Sequence, residues 1–313
     1  MHLEEVDART ASDEVLARFA EIEHATWDEH APGEPLRATE EVIAFYRHQP
    51  TTHTSCHWLA DRGMAGLYVH GPSAAFLNVS VVPSERRRGI GSALLARLLA
   101  RCAELEVRAL HGHHTTAAGA AFAARHGFVD GQRIVRALLD LPNADLPAPA
   151  PPDGWKLVTW LGHVPDEHLA AFVIARAAMD DAPADEDLEF PAWTAEHIRA
   201  SEESLARRDR EMRVTVAIRD DGVIGAFTEL RVSRGSSLGF TDDTGTLAAH
   251  RRQGLAHAVK LESLRRLRED HPEIEVVSTS NAEENAAMRR VNEKVGFRPS
   301  TVETMATRTL SVS

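Results

Sequence analysis

Arg86-Arg87-Arg88-Gly89-Ile90-Gly91 and Arg251-Arg252-Gln253-Gly254-Leu255-Ala256 share one pattern, R-x-x-G-x-[GA]. The two begin 165 residues apart. Each follows an apolar, strand-like run and precedes an amphipathic helical run. Each is trailed by a Gly-Phe pair, Gly127-Phe128 and Gly296-Phe297, 169 residues apart. A period this long is no solenoid unit. It is a whole domain present twice, so the chain has to fold as two copies of one strand–loop–helix plan.

The loop itself points to an anion. A glycine-rich turn between strand and helix leaves backbone N–H groups without partners. Those groups and the helix dipole favour phosphate. Glycine lets the backbone come close, and the arginines add positive charge. The pattern lacks the G-K-[ST] of a Walker A loop and the spacing of a dinucleotide-binding G-x-G-x-x-G. Taken alone, the residues support two phosphate-binding α/β domains.

The 313 residues suffice for two domains of ordinary size. The formal charge of −12 argues against general binding to nucleic acid, which rests on phosphate neutralisation. It suits a cationic substrate such as an amine, or solubility alone. No apolar run is long enough to span a bilayer, and the start, Met1-His2-Leu3-Glu4-Glu5, lacks the regions of a signal peptide. Cys56 and Cys102 form no C-x-x-C, so a reduced, cytoplasmic setting is expected. The 17 histidines show no metal-ligand spacing.

Leu141–Gly154 holds five prolines and reads as an extended, stiff linker. It divides the chain into a domain over 1–141 and a second over 155–313. In the first, strands are expected at 2–6, 57–60, 65–70, 75–82, 109–113 and 128–141, with helices at 13–30, 38–48, 90–105 and 117–126. Leu94, Leu95, Leu98, Leu99 and Cys102 form the apolar stripe of the helix after the loop. The second half repeats this order. Its strands are expected at 156–161, 213–219, 223–232, 238–247, 275–280 and 298–310, and its helices at 166–179, 195–208, 255–268 and 284–295.

With this order and these loops, the chain resembles the GNAT superfamily of acyl-CoA N-acyltransferases, in the tandem arrangement of mycothiol synthase and other actinobacterial acetyltransferases. The resemblance covers nearly the whole chain. It implies an α/β (α+β mixed-sheet) fold of two tandem GNAT domains. Each has a mostly antiparallel sheet with splayed fourth and fifth strands, flanked by helices. It implies acetyl-CoA as the cofactor. Arg86, Arg87, Arg88, Gly89, Ile90 and Gly91, and Arg251, Arg252, Gln253, Gly254, Leu255 and Ala256, would wrap its pyrophosphate. Val79, Ser80 and Val81, and Thr244, Gly245 and Thr246, would supply the cofactor-facing ends of the two fourth strands.

The same resemblance directs the search for catalytic groups. Such enzymes often place a carboxylate on the fourth strand and a tyrosine four residues before Gly-Phe. The first domain has neither, and Ala123 takes the tyrosine position. His111 and His113 are either a base or solvated strand-end residues. In the second domain, Asp242 and Asp243 lie on the fourth strand and Glu229 on the third. Simple alternation would send the two aspartates to opposite faces. Asn292 stands where the tyrosine would be and can donate a hydrogen bond but not a proton. Asn281 either caps the following helix or, with Asn285, holds the pantetheine arm as the resemblance implies. An acidic stretch, Met179–Glu189, with Phe190 and Trp193 beside it, borders the acceptor side.

The expectation is a GNAT N-acetyltransferase, an acyltransferase acting on a small-molecule amine. The second domain would be catalytic and the first would bind cofactor or serve as structure. A CoA-binding sensor or scaffold, or a protein acetyltransferase, remain the other readings. The protein would be a monomer, as a pseudo-dimer of domains, or a homodimer.

Overall fold

Alternating apolar residues in the first third of the chain become the strands of a sheet in the computed structural model. This structure describes residues 2–49, 53–71, 73–179 and 193–310. The strands are Glu4–Val6 (β1), Thr54–Ala60 (β2), Gly63–Gly71 (β3), Ala74–Val81 (β4) and Ala109–His114 (β5). β1 to β4 pair antiparallel in sequence order. β4 and β5 run parallel, but only over Ala75–Leu110 and Phe76–His111. The helices are Asp13–His24 (α1), Trp27–His30 (α2), Thr39–Arg47 (α3), Ile90–Glu104 (α4) and Ala117–Arg125 (α5). The stripe of α4 buries Leu94, Leu95, Leu98 and Cys102 against Trp58, Ala65, Leu67 and Leu110. Each such side chain contributes roughly 1.5–3 kcal/mol. Leu16, Phe19, Val42 and Tyr46 of α1 and α3 form a further core cluster with Leu59 and Met64.

The helix expected over 13–30 is two helices. Ser12 caps α1 by accepting from the Val15 N–H. At its far end the Thr26 hydroxyl turns back onto the Ile22 and Glu23 carbonyls, both at 3.1 Å. That bond competes with the helix ladder and marks the break.

The second copy is built alike. Its elements are Lys156–Leu161 (β7), Asp166–Arg176 (α6), Ala195–Arg207 (α7), Arg210–Ile218 (β8), Ile224–Ser233 (β9), Leu238–Thr246 (β10), Leu255–Asp270 (α8), Val276–Ala282 (β11) and Ala286–Val295 (α9). β7 to β10 are antiparallel neighbours, and β10 runs parallel to β11. The helix expected to reach Met179 stops at Arg176 and tightens into a 3-10 turn over Ala177–Met179.

The chain forms two compact units, and they do not follow the halves read from sequence. Each half ends in a strand, Val129–Asp140 (β6) and Arg298–Thr309 (β12), and these strands cross over. The first unit includes residues up to Ile134 and again from Thr301 onward, and β5 pairs with β12 from Ala109–Thr309 to His114–Thr304. The second unit begins at Val135, so the end of β6 and the whole linker belong to it. Leu141 and Leu146 are buried with Leu261, Leu264, Ile274 and Phe297. Arg268 donates to the Ala144 carbonyl at 2.7 Å. The proline-rich segment is a packed edge of the second unit rather than a free tether.

Candidate active site

In both units the parallel strand pair parts and leaves an opening. In the second unit β10 and β11 pair from Leu238–Val276 to Thr241–Thr279 and then separate. The opening, about 640 Å³, is lined by Asp242 to Thr246 of β10, Ser280 to Ala282 at the end of β11, and the loop residues Arg251, Arg252 and Gly254 to Ala256. In the first unit a smaller opening of about 430 Å³ is lined by Val79, Ser80 and Val81 of β4 and by Arg86, Arg87, Gly89, Ile90 and Gly91. Arg88 and Gln253 line neither opening.

The two loops have the same backbone. Gly89 and Gly254 cap their helices in the left-handed region, at φ 84° and 85°. Arg87 and Arg252 are left-handed as well, at 66° and 62°. Non-glycine residues rarely take that conformation, and strain repeated in both copies points to a shared ligand geometry. Neither helix has a side-chain cap, so the first-turn N–H groups stay available. A Cβ built on either glycine meets nothing within 4 Å, so each loop faces open space. These observations fit the pyrophosphate of acetyl-CoA.

The arginines divide their work. Arg86 Nε donates to the Val81 carbonyl at 3.1 Å, and its two terminal nitrogens grip Glu29. Arg251 Nε donates to the Thr246 carbonyl at 3.2 Å. The first arginine of each loop therefore pins the end of its strand, a role the anion argument did not foresee. Around the second opening stand Arg252, Arg290, Lys294, His250 and His257. The first has Arg87 and Arg125, with Glu29 and Glu85 opposing them. With Arg251 and the lining Asp242 and Asp243 counted at the second opening, and Arg86 at the first, the Arg and Lys outnumber the carboxylates at both.

The aspartates differ from the expectation. The register of β10 against β9 jumps between Thr241–Leu230 and Thr244–Thr228, so Asp242 and Asp243 both oppose Glu229. This β-bulge cancels the alternation that would have sent them to opposite faces. Both aspartates line the opening. Asp243 accepts from Arg176 at 2.6 Å, Glu229 pairs with the same guanidinium, and Asp242 pairs with Arg231 at 2.6 Å. Arg176 is 3% exposed and lies 3.7 Å from the centre of the Trp193 ring. Three carboxylates are paired with two guanidiniums, and Arg210 acts on Asp242 from further off. Glu229 is its most buried carboxyl. Desolvation outweighs the pull of Arg176, and with repulsion from Asp243 it lifts Glu229 to about 7.

The asparagines separate as well. Asn285, not Asn281, caps α9 by accepting from the Met288 N–H at 3.1 Å. Asn281 instead accepts from the Asn292 amide. Asn281 and Asn285 line the opening, whereas Asn292 is buried behind Asn281 with its Oδ1 unpartnered among the described residues. His111 is fully buried between Thr307 Oγ1 and the Ser73 carbonyl, and His113 stands 3.8 Å from Glu303. Neither lines the first opening. The acidic stretch lies outside the described residues except for Met179, which lines the second opening.

Arg176 and Lys260 were missed at the level of sequence. Arg176 ends a helix, where a basic residue is ordinary. Lys260 was legible, because aligning the repeats sets it against Leu95 of the first apolar stripe.

Comparison with known proteins gives a consistent result. Residues 53–130 match the acetyltransferase (GNAT) domain family. A mycothiol acetyltransferase of Nocardia farcinica is 29% identical over 79% of this chain and 80% of its own. One from Catenulispora acidiphila is 37% identical over 31% of this chain, a match spanning only 30% of that relative's length. A tandem GNAT protein from the clavulanic acid biosynthesis pathway superposes over the whole of both chains, with a TM-score of 0.84 and 25% identity.

Proposed function

We propose that this chain, a member of the GNAT superfamily of the tandem type and an acyltransferase that uses acetyl-CoA, acetylates the amine of a small molecule at the opening of its second unit. The observation that carries this reading is the cluster of Asp242, Asp243 and Glu229 held by Arg176 and Arg231 beside a phosphate-binding loop.

Acetyl-CoA, when bound, supplies an activated acyl carbon with a good leaving group. The chain's own residues supply the rest. The Gly254 loop, with Arg252, Arg290 and Lys294 nearby, holds the phosphates. Asp242 and Asp243 draw an ammonium to the head of the opening. The amine must lose a proton before it can attack. Glu229, lifted to about 7 but set behind the opening that the two aspartates line, takes up that proton near neutrality by relay through Asp243. Arg176 pairs with Glu229 and Asp243 and fixes both carboxylates in place. Asn281, held from behind by the Asn292 amide, is the polar group on the β11 side that orients the arm or the acyl oxygen.

The first unit keeps the loop but has Asn78 and Gly66 where the second has Asp243 and Glu229. It binds the cofactor without turnover. The names of the relatives direct the first acceptors to thiol-bearing amines related to mycothiol, followed by amino sugars and polyamines.

The test is release of free CoA thiol from acetyl-CoA in the presence of each amine. Turnover should appear with a small amine and fall by about 100-fold in Asp243→Asn, a loss typical of removing a positioned charge or proton acceptor. Full activity in an Asp242→Asn/Asp243→Asn double variant would sink the assignment. Turnover with peptide amines alone would replace the small-molecule acceptor with a protein. Cofactor binding without turnover on any amine would leave a sensor.

A further inference from the structure

Beneath the second opening lies a buried cation that the acetyl-transfer reading does not use. Lys260 is 2% exposed on the sheet-facing side of α8. Its Nζ donates to Thr244 Oγ1 at 3.4 Å and lies 5.5 Å from the centre of the Phe297 ring. Thr244 Oγ1 is also 2.8 Å from Thr228 Oγ1 on the neighbouring strand. One repeat earlier the same three places hold Leu95, Val79 and Ala65, with Val79 and Ala65 paired across the strands as Thr244 and Thr228 are. Three apolar positions have been exchanged together for one amine and two hydroxyls.

Among the described residues no carboxylate pairs with this amine. Glu229 and Asp243 are chain neighbours of Thr228 and Thr244, but they face the other side of the sheet and are tied to Arg176. Glu262 on the same helix pairs with Arg265 and Arg266. Among the described residues of β9 and β10, and at Phe297 just before β12, the groups facing Lys260 are the two hydroxyls and the Phe297 ring, and Arg213 of β8 is taken up by Glu211 and Asp270. Burial alone lowers the ammonium to about 7. An unpaired buried charge is costly to keep, and its one polar outlet is Thr244. That residue lines the opening, next to Asp243.

We propose that Lys260 acts through the Thr244 hydroxyl on the sulfur end of the bound coenzyme, holding a proton there for the departing thiol. This rests on the acetyl-transfer reading and deepens it. Thr244 accepts from Lys260 and pairs with Thr228, which fixes the oxygen and lets its own O–H point into the opening. As the new C–N bond forms, the C–S bond breaks and its electron pair leaves on sulfur. Thr244 then gives its hydroxyl proton to the sulfur, and the Lys260 ammonium replaces that proton and ends neutral. Solvent returns a proton through Thr244 once the opening empties. A donor titrating below an ordinary thiol, near 8.5, gives up its proton downhill. Thr244 is the catalytic group and Lys260 its positioning partner.

The test of Thr244 needs neither an acceptor nor turnover. CoA is bound to the whole protein, and its thiol is titrated by thiolate absorbance in the ultraviolet. Wild type is compared with Lys260→Met, Thr244→Val and Thr244→Ser, so that any contribution of the first unit cancels in the difference. The Thr244 O–H should favour bound thiolate as its hydrogen-bond donor, so the thiol should titrate about one unit higher in Thr244→Val than in wild type, roughly tenfold in thiolate fraction at a fixed pH. Lys260, lowered to about 7, is neutral where the thiol titrates, so Lys260→Met should leave that titration near wild type. Its part is read in turnover, where Lys260→Met should remove the fall of kcat above about pH 7. An unchanged fall would overturn the role of Lys260. Thr244→Ser should stay with wild type. Equal titrations in wild type and Thr244→Val overturn the proposal while leaving acetyl transfer standing, and this variant decides the matter if Lys260→Met does not fold. Failure of the wild type to bind CoA overturns the acetyl-transfer reading itself.

Discussion

At matched places the first unit carries Ala65, Gly66, Asn78, Val79 and Leu95, and the second carries Thr228, Glu229, Asp243, Thr244 and Lys260. β4 runs through this region without interruption, whereas β10 spends an extra residue, Asp242, on a bulge. The loops ahead of α4 and α8 nevertheless share their dihedral angles within a few degrees. The loop backbone occurs twice, whereas at these matched places the carboxylates, hydroxyls and amine occur only in the second unit. Buried charge of this kind is rarely a stability device. Its concentration in the second unit is what the proposed function builds on in placing the reaction there.

The comparison breaks most visibly at the loops. Gly254→Glu places a carboxylate where phosphate would sit and forces a strained φ. It should abolish acetyl transfer, a loss of at least about 100-fold, and remove one site in a calorimetric titration with acetyl-CoA. Gly89→Glu should remove the other site and leave turnover within about threefold. The reverse pattern would exchange the roles of the two units.

Arg176→Leu should follow in size. It leaves Glu229 buried without its cation, at a cost of about 3 kcal/mol in urea denaturation at neutral pH. The loss should shrink at pH 5, because Glu229 then folds protonated. A loss that does not vary with pH would mean that the guanidinium acts by packing against Trp193.

The first unit has its own buried titrating group. His57 lies among Phe19, Tyr46 and Tyr68, with both ring nitrogens unpartnered among the described residues. Burial lowers it from the usual 6.5 to about 4. The unfolded chain then binds the extra proton between those values, so stability is complete above pH 6.5 and is lost as pH falls toward 4, by about 3 kcal/mol. His57→Leu should flatten that acid limb. Glu229 works in the opposite sense. Its folded value is raised from 4.5 to about 7, so its contribution weakens as pH rises across that range. Denaturation curves at pH 4.5, 6 and 7.5 would separate the two.

The smallest effects concern the matched helix caps, Thr116 before α5 and Asn285 before α9. Alanine at either should cost about 1 kcal/mol. Only Asn285→Ala should also raise the KM for acetyl-CoA in turnover.

Much of this was legible in the sequence. Duplication, loop positions and element order follow from glycine placement and periodicity, and β7 matches its expected span, Lys156–Leu161, residue for residue. The bulge was not legible, because Thr-Asp-Asp-Thr has no local signature that tells a strand from a strand with one residue too many. The partners of the carboxylates were hidden too, because Arg176 and Glu229 meet only when α6 lies on β9. The caps were ambiguous because Asn281 and Asn285 are four residues apart and both suit the task.

The pairing of β5 with β12 has a consequence for how the molecule is made. Residues 109–114 wait for residues 304–309, almost the entire remaining chain. On a ribosome the first unit is therefore translated long before it can be finished. Until the last strand emerges, β5 presents an unpaired edge able to template association with another chain. The protein should be most prone to aggregate as a nascent chain. Loss of its final dozen residues should injure the unit encoded first more than the one encoded last.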